Sequence, residues 1–145
     1  MATNNGNTLT DIFHAGTFGN KSVNHVEHNF VNEAEDDVVR LAKVPAGTKI
    51  TDMKAIFGAL GALTTMDIGY EIVDPASATA DDPDYFTAGI ADTAPTDVAA
   101  AGSVVFQFVP YEVTEAIYIT ATIAGAAGAD AELDLLVDSV FEGNL

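Results

Sequence analysis

The segment Leu63 to Val73 (LTTMDIGYEIV) alternates along its whole length. Thr64, Met66, Ile68, Tyr70 and Ile72 fall on one side of an extended chain, and Thr65, Asp67, Gly69 and Glu71 on the other. Strand side chains point to opposite faces with a period of two, so this segment has one face for a core and one for water. The pattern recurs. Ser103 to Val109 puts Val104, Phe106 and Phe108 on one face, and Glu115 to Ala124 does the same with Ile117, Ile119, Ala121 and Ile123. Glu132 to Phe141 sets Leu133, Leu135, Val137 and Phe141 opposite Glu132, Asp134 and Asp138.

Upstream, Val38 to Val44 is rich in β-formers, with Val39, Leu41 and Lys43 opposite Val38, Arg40, Ala42 and Val44. Pro45-Ala46-Gly47 follows. Proline presets φ for a tight turn and glycine supplies φ > 0, so a hairpin-type turn is expected, with Lys49 to Phe57 as the return strand. Gly58 to Ala62 should break that strand. Asp74 to Asp84 reads as a surface loop and Tyr85 to Ile90 as a short strand. Ala91 to Gly102 reads as a loop or a single helical turn, and Gly125 to Asp130 as a flexible turn. The strands recur at the ~8–12-residue spacing of a sandwich or barrel. Alternation favours antiparallel pairing, because buried parallel strands read as continuous apolar runs. The expectation is an all-β chain: a jelly-roll-like antiparallel β-sandwich over residues 37–145.

Residues 1–36 read differently. They are rich in Asn, hold all three His, and space their apolar residues singly. This predicts an N-terminal arm that packs on something else, such as a neighbouring subunit, or else a partly ordered tail. Extended segments with spaced aromatics can lie along a partner, which makes Phe13, Phe18 and Phe30 the candidate anchors.

Charge sorts the partners. The basic residues are Lys21, Arg40, Lys43, Lys49 and Lys54, and none follows Lys54. The chain carries 22 Asp and Glu against 5 Lys and Arg, a net charge of −17. Such a chain repels nucleic acid and anionic membrane, so neither is expected as a partner. Yet 48% of the chain is hydrophobic, too much for a disordered acidic tail. Asp-rich, Lys-poor surfaces also suit molar salt, which points to a halophilic host. There is no Cys, which excludes disulfides and thiolate chemistry. MATNNGNTLTDIF has neither the basic nor the apolar region of a secretory signal, so a soluble protein made in a cytoplasm is expected. The longest apolar-looking stretch, Ala55 to Leu63, is far short of a bilayer span.

Catalytic patterns are missing from the sequence. Gly-x-Ser-x-Gly, Gly-x-Gly-x-x-Gly, the P-loop and His-Glu-x-x-His do not occur. His25-Val26-Glu27-His28 has the look of a metal clip, but in a strand His25 and His28 point to opposite faces. Asp74, Asp81, Asp82 and Asp84 form the densest acid cluster, without the Gly and closing Glu of an EF-hand loop. The expectation is a non-enzymatic protein with no cofactor and no metal.

The order of these elements suggests a family. A strand ending in Leu41-Ala-Lys-Val-Pro-Ala-Gly47 is followed by Ile50-Thr-Asp52 and Leu63-Thr-Thr-Met-Asp-Ile-Gly-Tyr-Glu71. After the Asp-rich loop and Tyr85-Phe86 come Ile117-Tyr-Ile-Thr-Ala-Thr122, a Gly/Ala turn, and a strand ending Phe141-Glu-Gly143. From about Val38 to Gly143 the chain resembles capsid decoration (cement) proteins of tailed viruses. That resemblance implies a virion protein on the outer capsid surface, commonly a homotrimer, whose partner is the major capsid protein and whose role is to brace the shell. The competing reading is a virion receptor- or carbohydrate-binding β-module, for which the Asp74–Asp84 loop with Tyr85 and Phe86 is the candidate site.

Overall fold

The computed structural model describes residues 1–7, 9–13, 19–31, 33–57, 64–91, 102–125 and 131–143. Among them there are ten strands and no helix. These are β1 (Thr3–Asn5), β2 (Lys21–Phe30), β3 (Val38–Val44), β4 (Thr48–Phe57), β5 (Thr64–Ile72), β6 (Asp82–Ala91), β7 (Gly102–Val105), β8 (Tyr111–Glu112), β9 (Ile117–Gly125) and β10 (Ala131–Phe141). One sheet runs β1-β3-β9-β5-β6, and the other runs β2-β10-β4-β7 with β8 beside β4. Pairing is antiparallel except between β1 and β3. This is the all-β sandwich that the alternation predicts.

The core lies between the sheets and uses the expected faces. Met66, Ile68, Tyr70 and Ile72 of β5 are buried, as are Ile117, Ile119, Ala121 and Ile123 of β9 and Leu133, Leu135 and Val137 of β10. Each fully buried aliphatic of this size stabilises the fold by roughly 1.5–3 kcal/mol relative to an exposed one. Bulges in β3 and β4 change the phase of the alternation. In β3 the register shifts between Arg40 and Ala42, so Val39 and Leu41 point inward and then Ala42 and Val44 do. In β4 the ladder passes from Asp138↔Asp52 to Ser139↔Ile50, and the inward set changes from Thr48 and Ile50 to Met53, Ala55 and Phe57. An extra residue on one strand leaves two opposite one and flips every later side chain.

The turn at Pro45-Ala46-Gly47 is present, with Gly47 at φ 87, but it does not close a hairpin. β3 and β4 belong to different sheets, so the turn is a corner between layers. The reason lies in the partners: β3 pairs with β9 and β4 with β10, each burying an apolar face against the opposite sheet.

Residues 1–36, expected as an arm, place two strands inside the sandwich. β2 pairs with β10 from Phe30↔Ala131 to Lys21↔Val140. β1 pairs with β3, and the Asp37 carboxylate ties both ends of that junction by accepting from Ala2 N (2.7 Å) and Ala34 N (2.9 Å). Those two donors hold Asp37 below its ordinary carboxylate pKa. β2 escapes notice in the sequence because three of its five inward positions are polar: Ser22, Asn24 and His28 join Val26 and Phe30. The break at Gly58 to Ala62 lies outside the described residues, as does nearly all of the Ala91–Gly102 and Gly125–Asp130 segments.

Candidate functional site

Gly69 helps to determine where a cleft forms on the first sheet. A Cβ at this position would overlap the Asp82 carbonyl oxygen and Pro83, so only glycine lets the start of β6 cross so close to β5. The connection between the two strands, residues 73–81, then stands over the outer face of the first sheet. It is tied at several points. Val73 N donates to Ala116 O (3.0 Å), and Asp81 accepts from Ile72 N (2.7 Å). Asp74 accepts from Ala76 N (2.9 Å), Ser77 Oγ accepts from Thr79 N (3.0 Å), and Ser77 Oγ donates to Glu115 (2.6 Å). Asx and Ser turns of this kind give a loop a definite shape without regular structure.

Under this loop is a cleft of about 500 Å³ lined by Arg40, Glu71, Tyr118 and loop residues that include Asp74, Ser77, Thr79, Ala80 and Asp81. Its floor comes from three adjacent strands, β3, β9 and β5. Strands lie about 4.8 Å apart, so Arg40 must reach across β9 to meet β5. It does so with its guanidinium 4.7 Å above the Tyr118 ring centre, and it forms a two-pronged pair with Glu71, Nε to Oε2 at 2.8 Å and Nη2 to Oε1. A planar guanidinium on a carboxylate and over a ring is held in one orientation. Thr120, opposite both Arg40 and Gly69 in the ladders, is buried although it faces outward.

The sequence-derived candidates are distributed as follows. Phe30 is 2% exposed and Phe13 is 9% exposed, and both belong to the protein's own core. Phe18 and His14 lie outside the described residues. Ile12, next to Phe13, is 94% exposed, and Val31, next to Phe30, is also exposed. Phe86 is buried, and Tyr85 packs with Tyr70, Phe86, Phe108 and Tyr111 in an aromatic cluster, so neither is displayed by the Asp-rich loop. Desolvation in that cluster raises the Tyr111 phenol. Tyr118 and Arg40 are the flat groups that border the loop instead. Sequence reading missed them because nothing local says that β9 lies between β3 and β5.

His25 and His28 point to opposite faces, as the strand geometry requires: His25 is exposed and His28 is buried. His25 Nε2 lies 2.5 Å from Asp134, and carboxylate oxygens of Glu27, Glu132 and Asp134 lie within 4.8 Å of one another. Among the described residues these are the acids close enough to share a cation, on the exposed face of the second sheet. A surface this acidic forms such sets without an ion. The acids of the 74–84 segment divide by role: Asp74 and Asp81 serve backbone N–H groups, while burial and hydrogen bonding with Asp84 raise Asp82 above its ordinary pKa.

No protein-family model and no curated protein sequence matches the chain. Solved structures share its fold. A chain of the capsid of Ralstonia phage GP4 is similar at a TM-score of 0.70 and 16% identity, covering 99% of this chain and 100% of that one. A chain of the cyanophage Pam1 capsid asymmetric unit reaches 0.61 at 15% identity, over 88% of this chain and 89% of that one. A chain of the acidic stable capsid structure of Helicobacter pylori bacteriophage KHP30 reaches 0.60 at 18% identity, over 85% of this chain and 89% of that one. At these identities the likeness establishes a common fold, a two-sheet β architecture that also occurs in phage capsids.

Proposed function

We propose that this protein is a structural component of a viral head, a decoration (cement) protein that binds the outer surface of the shell and braces neighbouring capsid subunits, assembled as a homotrimer. The observation that carries the reading is the end-to-end likeness to the Ralstonia phage GP4 capsid chain, 99% of one and 100% of the other. A likeness of that extent compares whole chains rather than one shared module. The net charge of −17 supports it, since a protein displayed in many copies must stay soluble and off the packaged genome. Attachment through Phe13 and Phe30 would require them to leave the core. Exposed Ile12 and Val31 beside them are better placed to reach a partner.

The test is cosedimentation of the purified chain with heads assembled without it, together with the melting temperature of those heads. Saturable binding and a higher head melting temperature are expected, with sedimentation of the free protein as a trimer. A chain that stays in the supernatant and leaves head stability unchanged refutes the decoration role. Ile12→Asp should weaken binding while leaving the fold intact.

A further inference from the structure

From the cleft beneath the 73–81 loop we infer a second activity: this protein binds a neutral saccharide, one or two hexose rings of a glycan, between Arg40, Tyr118 and the loop acids. Size comes first. About 500 Å³ is within the roughly 300–1,000 Å³ of small-molecule sites and far exceeds what an ion needs. Preorganisation comes second. The loop is already fixed by its Asp74, Ser77 and Asp81 hydrogen bonds, and the floor by the Arg40–Glu71 pair over Tyr118, so little freedom remains to be lost on binding.

The chemistry selects the class. Glu71, Asp74 and Asp81 place three carboxylates around one guanidinium, which repels phosphates, sulfates and acidic sugars. A metal ion would meet the Arg40 charge, with Glu71 already engaged. Sugar hydroxyls each donate and accept, and this cleft offers both functions: Arg40 N–H groups donate, the carboxylates accept, and Thr79 and Tyr118 do either, while the Ser77 hydroxyl is already engaged with Glu115 and Thr79 N. Asp74 and Asp81 each hold one oxygen on a backbone N–H, and both are exposed residues that line the cleft. Planar carboxylate and guanidinium groups bridge neighbouring hydroxyls in pairs. The Arg40 guanidinium, held over the Tyr118 ring, provides a floor for a sugar ring.

An array of neutral, acidic and amino glycans probed with the full-length protein tests the inference, with free oligosaccharides as competitors. Neutral glycans should bind and be competed by the same free sugar. Ala80→Trp fills the cleft from an exposed loop position and should reduce binding at least tenfold without lowering the melting temperature. Arg40→Lys keeps the charge but loses the planar fork, and should also weaken binding. Binding to no neutral glycan overturns the inference, and so does equal binding by Ala80→Trp. A preference for spermidine or trilysine over every sugar also overturns it, in favour of a pocket for cationic side chains. Head cosedimentation of Ala80→Trp should match that of the natural chain, so failure here is distinct from failure of the decoration reading.

Discussion

His28 shows how one buried residue shapes pH response. It sits on the inward face of β2, edge-on to Phe30 at 4.7 Å and 3.6 Å from the buried Glu33. Burial lowers its pKa below the ordinary 6.5, against the opposing pull of Glu33. The folded protein thus favours the neutral ring. Its contribution to stability is complete above the unfolded value near 6.5 and is lost as pH falls from there through the lower folded value. We predict a fall in melting temperature over that window that is flattened in His28→Gln, measured by circular dichroism from pH 7 downward. An unchanged slope in the variant would assign the pH response to other groups. Asp37 acts lower on the scale: its depressed pKa stabilises the β1 junction above the ordinary carboxylate range, and that support disappears as pH falls through the folded value.

At the scale of elements, two strands carry the informative tests. Gly69→Ala forces a methyl into the Asp82–Pro83 backbone, where β6 crosses β5. Overpacking of this kind costs roughly 1–3 kcal/mol, and it should also disorder the 73–81 loop. Denaturant unfolding measures the first effect and amide exchange at Ile72 and Val73 the second; a variant with native stability would mean that β6 shifts freely. β2 supplies the other test. Phe30→Ala removes a core ring and should destabilise the protein by about 3–5 kcal/mol. Deleting residues 1–30 should abolish cooperative unfolding, because it exposes the whole edge of β10 that pairs with β2. A truncated chain that still melts cooperatively would return these residues to the status of an arm.

For the whole molecule, the relevant quantity is the imbalance of charge. All five Lys and Arg precede Ala55, and residues 55–145 are exclusively acidic among strong charges. Several of the cations are already spent locally: Lys21 on Asp138, Arg40 on Glu71, and Lys49 on Glu112 and Glu142. The lysine pairs, open to solvent, contribute only about 0–1 kcal/mol each, too little to offset general repulsion. Added NaCl should raise the melting temperature, mostly by the time the Debye length has fallen from about 10 Å at 0.1 M to about 3 Å at 1 M. A further rise beyond about 1 M, where screening is nearly complete, would support a halophilic origin. A melting temperature flat across the series would show that the acids are too widely spread to matter.

The local pattern of residues was enough to determine which face of each long strand is apolar, because side-chain alternation is a property of the strand itself. Met66, Ile68, Ile119, Ile123, Leu133 and Leu135 could all be assigned to the core before any partner was known. So could the turn at Gly47, whose positive φ is a local demand. What the sequence left open was which strands meet. Neighbours in the chain seldom pair here: β5 and β6 form a hairpin, but β2 lies on β10 and β3 on β9. Those choices follow from closing two apolar faces on each other, a condition that involves the whole chain at once. β2 joined the sandwich despite its polar inward residues because β10 offered it a full ladder. The cleft depends on the same non-local outcome. Arg40, Tyr118 and Glu71 are ordinary outward residues of three strands, and only the order β3-β9-β5 brings them together.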